Sequence, residues 1–215
     1  MLFKGWLRIV ALLGSVLLAG AGTVLAGPVK IVGFGDSLMA GYQLAPDDGF
    51  TGQLEDALRQ SGHDVSVINA GVSGDTSSGG LSRLDWSVPD DADLVILELG
   101  ANDALRGIDP AVTRSNLDAM IARLKERKIA VLLAGMLAPP NMGEAYASDF
   151  NRIFPELAEK HGIPLHPFFL DGVAARKDLL LADGMHPNPQ GVAVMVERIL
   201  PAVKNALAAD GGQQG

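Results

Sequence analysis

Apolar residues along the chain fall into two kinds of pattern. The first kind is short and mostly continuous: Val29 to Phe34, Val65 to Ile68, Leu94 to Leu99, Ile129 to Gly135, and a weaker run from Ile163 to Phe168. Such runs predict strands covered on both faces, as in a parallel sheet. The second kind repeats every three or four residues and predicts amphipathic helices. Phe50, Leu54 and Leu58 mark one from Gly49 to about Ser61, with Asp48 as a cap and Gly62 as a stop. Leu81 and Leu84 mark a short one. Leu117, Met120, Ile121 and Leu124 mark another, starting at Asp109-Pro110 and ending near Arg127. Tyr146, Phe150, Ile153, Phe154 and Leu157 define a helix from Glu144 to Lys160, which Pro155 should kink. The last helix starts at Asn188-Pro189 and runs to about Leu207. Strands and helices alternate, so the class is α/β with a parallel sheet. No repeat or linker divides residues 27–209, which read as one domain, and residues 210–215 read as a disordered tail. Periodicity leaves the strand order open.

The first 26 residues change the picture. Lys4 and Arg8 precede an apolar run from Ile9 to Leu18, and Val24-Leu25-Ala26 stands before Gly27. This is a secretory signal pattern with a cut expected after Ala26, and Ala19-Gly20-Ala21 offers a second site. The expected location is therefore periplasmic or secreted, with no stable membrane span after cleavage. An uncleaved anchor is the alternative, because Ile9 to Gly27 almost suffices to cross a bilayer. The chain has 215 residues and no cysteine, which excludes disulfides, thiolate metal sites and lipoprotein attachment. Losing Lys4 and Arg8 with the leader takes the formal charge from −8 to −10. That balance argues against a nucleic-acid partner.

Four segments hold small polar residues at strand ends or near the end of the chain: Gly35-Asp36-Ser37-Leu38, Ser73-Gly74-Asp75-Thr76, Gly100-Ala101-Asn102-Asp103 and Asp183-Gly184-Met185-His186. In a parallel sheet the first three emerge at one edge and can converge on a crevice. Taken singly, each has a plain structural explanation. Asp36 or Ser37 caps a helix, Gly74 serves a tight turn, Asn102 sits in a turn, and His186 is a loop histidine. Taken together, they supply what acyl transfer to water requires. Ser37 brings the hydroxyl and His186 the base. Asp183 is close enough in sequence to fix the imidazole tautomer. The backbone N–H groups of Ser37 and Gly74, with the Asn102 amide, can line an oxyanion hole.

These four blocks resemble the GDSL-type, or SGNH, hydrolase family, in particular its thioesterase I, lysophospholipase and arylesterase branch. The likeness runs from Lys30 to about Gln190. It implies a three-layer α/β/α, flavodoxin-like fold with a five-stranded parallel sheet. It also implies Ser37 as nucleophile, Gly74 and Asn102 as oxyanion donors, and Asp183 with His186 completing a triad, without metal or cofactor. Ala101 stands where close relatives often carry glycine.

The expected activity is hydrolysis of carboxylic esters and thioesters of medium or long acyl chains, with a small-molecule or lipid acyl donor. Leu105 and Ile108, with Pro140, Met142 and Tyr146 across the site, are the candidates for an acyl groove; Met136, Leu137 and Pro139 lie in the same stretch. An acetyl-glycan esterase on the same fold is one alternative. A second is a metal-dependent phosphoesterase using Asp36, Asp75, Asn102, Asp103 and His186. A third is a non-catalytic binding protein. A dinucleotide fold does not fit, since Leu38 follows Gly33-x-Gly35 where a third glycine is needed.

Overall fold

The structure, a computed structural model, describes residues 27–211. The leader and the last residues of the expected tail lie outside them. β1 (Val29–Gly35), β2 (Val65–Gly71), β3 (Leu94–Glu98), β4 (Ala130–Ala134) and β5 (Leu165–His166) form one sheet in the order β2-β1-β3-β4-β5. Every pairing is parallel. The fold class is therefore the flavodoxin-like α/β arrangement, with its chain reversal between β1 and β3. Ile31, Val32 and Phe34 of β1 and Val95, Ile96 and Leu97 of β3 have no exposed surface. Both faces of the sheet are covered, which is why these strands read as mostly continuous apolar runs. On one side α2 (Phe50–Gln60) packs on α8 (Pro189–Gly211). On the other, α3 (Ser77–Ser87), α5 (Pro110–Glu126) and α7 (Ile153–His161) pack in series.

Several boundaries differ from the sequence reading, each for a local reason. Asp48 does not cap α2. Pro46 starts a 3-10 turn over Pro46–Asp48, and Gly49 takes the cap position instead. β2 runs on through Asn69, Ala70 and Gly71, which looked like loop. Those residues pair with Gly33, Phe34 and Gly35. Gly71 is required there because a Cβ would stand 2.3 Å from the Ala40 nitrogen. β5 shrinks to two residues. Pro164 and Pro167 flank it and have no N–H to give the ladder.

The stretch from Glu144 is two helices, α6 (Glu144–Asn151) and α7, broken at Arg152 rather than kinked at Pro155. A proline ring clashes with the carbonyl four residues earlier, here that of Asn151, so the break precedes the proline. α8 continues past Leu207 to Gly211 through alanines, the best helix formers. No helix among the described residues is long and apolar enough to cross a membrane.

Candidate active site

Two one-turn helices and a hairpin meet above the carboxyl ends of β1 and β3. α1 (Ser37–Ala40) follows β1 directly. Asp36 caps it, its Oδ1 accepting from the Leu38 N–H at 3.0 Å. The capping explanation therefore holds for Asp36, and it leaves the Ser37 hydroxyl free. The Gly41 backbone, at φ 74°, ends the turn.

The hairpin carries both Asp183 and His186. Leu180 and Pro187 form an antiparallel bridge, and the Leu181 N–H donates to the His186 carbonyl at 2.7 Å. Gly184 turns the chain at φ 70°. Inside the turn Asp183 Oδ1 accepts from the N–H groups of Met185 and His186, at 2.9 and 3.0 Å. Its Oδ2 lies 2.6 Å from His186 Nδ1. The His186 N–H first, then the Met185 N–H and the imidazole, hold the Asp183 carboxyl down at about 2. An ionised carboxylate only accepts hydrogen bonds, so it fixes the proton on Nδ1. The lone pair on Nε2 then faces Ser37 Oγ at 2.9 Å. The Tyr42 ring leans on the imidazole, centroid to centroid 4.4 Å.

The oxyanion candidates come from three elements. Ser37 is the first residue of α1, and Gly74 sits in the loop before α3 at φ 82°. No acceptor among the described residues takes either N–H. Arg106 donates to the Gly74 carbonyl at 2.8 Å and so braces that peptide. Asn102 lies on α4 (Ala101–Leu105), entered through Gly100 at φ 121°. The Asn102 Nδ2 donates one proton to Asp36 Oδ2 at 3.0 Å. The Asp36 backbone N–H in turn donates to Glu98 Oε2 at 3.2 Å. Both carboxyls are fully buried. Burial, opposed by the bonds from Leu38 and Asn102, lifts the Asp36 carboxyl from 3.8 to about 6. Burial and then the charge of Asp36 push Glu98 well above the usual carboxylate range.

The carboxylates proposed for a cation are otherwise engaged. Asp75 Oδ2 pairs with Arg83 Nε at 2.7 Å. Asp103 accepts from the Ser77 N–H at 2.8 Å, from the Ser77 hydroxyl, and from Thr113 Oγ1 at 3.0 Å. It ties α4 to α3 and α5. Among the described residues no three carboxylate or imidazole side chains are grouped as ligands. Away from the site, His161 Nε2 lies 2.5 Å from Asp118, and His166 is buried in β5.

A groove of about 430 Å³ opens beside Ser37, Asn102 and His186. Leu105 and Pro140 line it as expected, with Met136, Leu137 and Pro139. Ile108, Met142 and Tyr146 do not. The Tyr146 hydroxyl donates to the Ile108 carbonyl at 2.8 Å, and its ring stacks on the buried Phe150. Met142 instead faces Gly107. The opposite wall comes from Phe168, Leu170 and Leu180, which follow β5, and from Met185. That wall was not foreseen. Its only signal in the sequence is the apolar Phe168-Phe169-Leu170 run.

Residues 34–194 match the model of the GDSL-like Lipase/Acylhydrolase family. An arylesterase of Vibrio mimicus is 44% identical over 165 residues, covering 75% of this chain and 81% of the relative. The thioesterase 1/protease 1/lysophospholipase L1 of Escherichia coli K12 is 37% identical over 155 residues, 72% of this chain and 73% of that one. Among solved structures, AlinE4, an SGNH-hydrolase family esterase, superposes with a TM-score of 0.71 at 47% identity, covering 85% of this chain and 98% of the other.

Proposed function

The chain belongs to the GDSL-like lipase/acylhydrolase family and is an esterase or thioesterase of the SGNH type, and we propose that it cleaves medium-chain and long-chain acyl esters and thioesters through an acyl-enzyme on Ser37. The observation that carries this reading is the continuous line from Asp183 through His186 to the Ser37 hydroxyl. His186 Nε2 takes the Oγ proton as Oγ attacks the acyl carbon. The resulting oxyanion is met by the N–H groups of Ser37 and Gly74 and by the free proton of the Asn102 amide. Imidazolium formed at this stage is stabilised by the ionised Asp183 and returns the proton to the departing alcohol or thiol. Water, activated by the same imidazole, then releases the acid. No step requires a metal ion.

The acyl preference rests on the groove. Each buried methylene is worth about 0.8 kcal/mol, or roughly fourfold in kcat/KM when the contact is made in the transition state. An acetyl group is too short to use the walls formed by Leu105, Pro140, Phe168 and Leu170. The test compares kcat/KM for p-nitrophenyl acetate, butyrate, octanoate and palmitate, and for a fatty acyl thioester. Octanoate should exceed acetate. Faster acetate cleavage would favour an acetyl-glycan esterase. Dialysis against EDTA should leave the rates unchanged; a loss restored by Mn²⁺ or Zn²⁺ would favour the phosphoesterase reading.

The leader pattern supports export, with the mature chain starting at Gly27. Amino-terminal sequencing of secreted or periplasmic material decides this, an intact Met1 in the membrane fraction being the contrary result.

A further inference from the structure

We infer that Glu98 and Asp36 form a buried two-carboxyl relay whose task is to aim the Asn102 amide into the site. The inference rests on the serine-hydrolase reading above and adds to it two positioning residues that touch no substrate. Three observations lead to it.

The first is geometric. Asn102 Nδ2 carries two protons, and one of them is held by Asp36 Oδ2 at 3.0 Å. A carboxylate accepts and never donates, so Asp36 selects the nitrogen edge of the amide and rejects the oxygen edge. With one proton anchored, the second has a fixed direction, out toward the groove that Asn102 lines. Without that anchor a side-chain amide can rotate and present its oxygen, which would repel an oxyanion.

The second is that Asp36 is itself fixed from every side. Its Oδ1 is taken by the Leu38 N–H and its N–H by Glu98 Oε2. The charged groups around it come from four elements: Glu98 on β3, His186 on the hairpin, Asp75 before α3, and Arg83 on α3, which donates to the adjacent Gly35 carbonyl at 2.9 Å. Gly35 is obligatory beneath this pair, since a Cβ would stand 2.4 Å from Glu98 Oε2.

The third is the state of Glu98. It is fully buried, and its Oε1 has no partner among the described residues. Two ionised carboxylates buried as neighbours repel strongly, so the pair carries one charge. Burial and the Asp36 charge keep the proton on Glu98. A protonated Glu98 still accepts the Asp36 N–H through Oε2 and places no second charge beside Asp36. Asp36 then remains the acceptor that Asn102 needs. A fully buried acid whose side chain takes a single hydrogen bond among the described residues has no evident value to a core built of Val95, Ile96 and Leu97; its value lies in holding Asp36.

A double-mutant cycle on kcat tests the relay. Asp36→Asn keeps the shape but replaces one accepting oxygen with a donor. It should lower kcat by about 10–100-fold with KM within threefold, a smaller loss than removing an oxyanion donor outright. In an Asn102→Ala background the same change should cost less than twofold, because the group it aims is gone. Glu98→Leu, which keeps volume but not polarity, should lower kcat about tenfold, and Glu98→Gln, which can still donate and accept, should recover most of that loss. Equal factors for Asp36→Asn in both backgrounds would overturn the relay, even if the Glu98 variants fail to fold. Ser37→Ala in the same series separates the two readings. If it abolishes activity while the cycle is additive, only the relay fails; if it is active, the serine mechanism fails.

Discussion

His186 Nε2 stands 2.9 Å from Ser37 Oγ although 149 positions separate the two residues in the chain. The distance suits proton transfer in the resting state, without rearrangement. A fluorophosphonate probe should therefore label Ser37. Ser37→Ala should lose several orders of magnitude in kcat and all labelling. Mass-spectrometric mapping of the adduct reads this directly; a label on Ser73 or Ser77 would point to another nucleophile.

Asn102→Ala should lower kcat by about 10²–10³-fold and change KM little, since the amide acts on charge that appears only in the transition state. Steady-state kinetics on one ester suffice. An effect confined to KM would place Asn102 in substrate binding.

The acid limb of the pH–rate profile should not belong to Asp183. The N–H groups of His186 and Met185 hold its carboxyl at about 2. It stays ionised at every pH at which the fold is assayed. Only neutral imidazole can take the Ser37 proton, so activity should instead fall toward acid pH. Asp36 gains its own proton as the pH falls through about 6. Asp183→Asn should reduce kcat by about 10²-fold or more at all pH values. Activity that stayed flat between pH 5 and 8 would exclude a histidine base.

Asp36 also predicts a stability trade. Its folded-state value, about 6, lies above the ordinary 3.8, so the folded chain binds the proton more tightly. Stability should fall as pH rises through the window from about 4 to 6. Above it, the buried charge costs about 3 kcal/mol relative to a carboxyl of ordinary affinity. Asp36→Asn removes that charge and one hydrogen bond worth about 1 kcal/mol. The variant should be more stable than the parent by about 2 kcal/mol at pH 8 and slightly less stable than it at pH 4, where the charge cost is nearly gone and the lost hydrogen bond remains. Urea midpoints at the two pH values check the sign.

The parts of the fold legible in the sequence were those under two-sided burial. Val29 to Phe34 and Leu94 to Leu99 could hardly be anything but inner strands, and the structure buries Ile31 to Phe34 and Leu94 to Leu99. Where turn-forming residues serve packing instead, the pattern misleads. Asn69 to Gly71 looked like loop yet extends β2, because Gly71 admits Ala40 against the strand. The residues proposed for the chemistry, Ser37, Gly74, Asn102, Asp183 and His186, were legible only as a set, since each alone has a plain structural use and the four blocks together supply what acyl transfer requires. Glu98 was not, since an acid closing an apolar run reads as the exposed end of a strand. Tyr42 and the wall from Phe168 to Leu180 were also hidden. Irregular backbone has no period, and the contacts that give these residues meaning are made across the fold.

The closed turn from Leu180 to Pro187 holds Asp183 and His186 together through the two N–H bonds to the Asp183 carboxylate, the carboxylate–imidazole bond and a bridge of backbone. The two therefore travel as one body, and their mutual geometry is insulated from the rest of the molecule. Warming or mild denaturant should first separate that body from Ser37, silencing the enzyme while the imidazole–carboxylate bond persists. The deshielded Nδ1 proton of His186 would then outlive the activity in a melt followed by NMR, and inactivation would precede unfolding. Changes at Gly184, which sets the turn, would slide acid and base together across the serine, so the defect would be one of distance to the nucleophile and not of basicity.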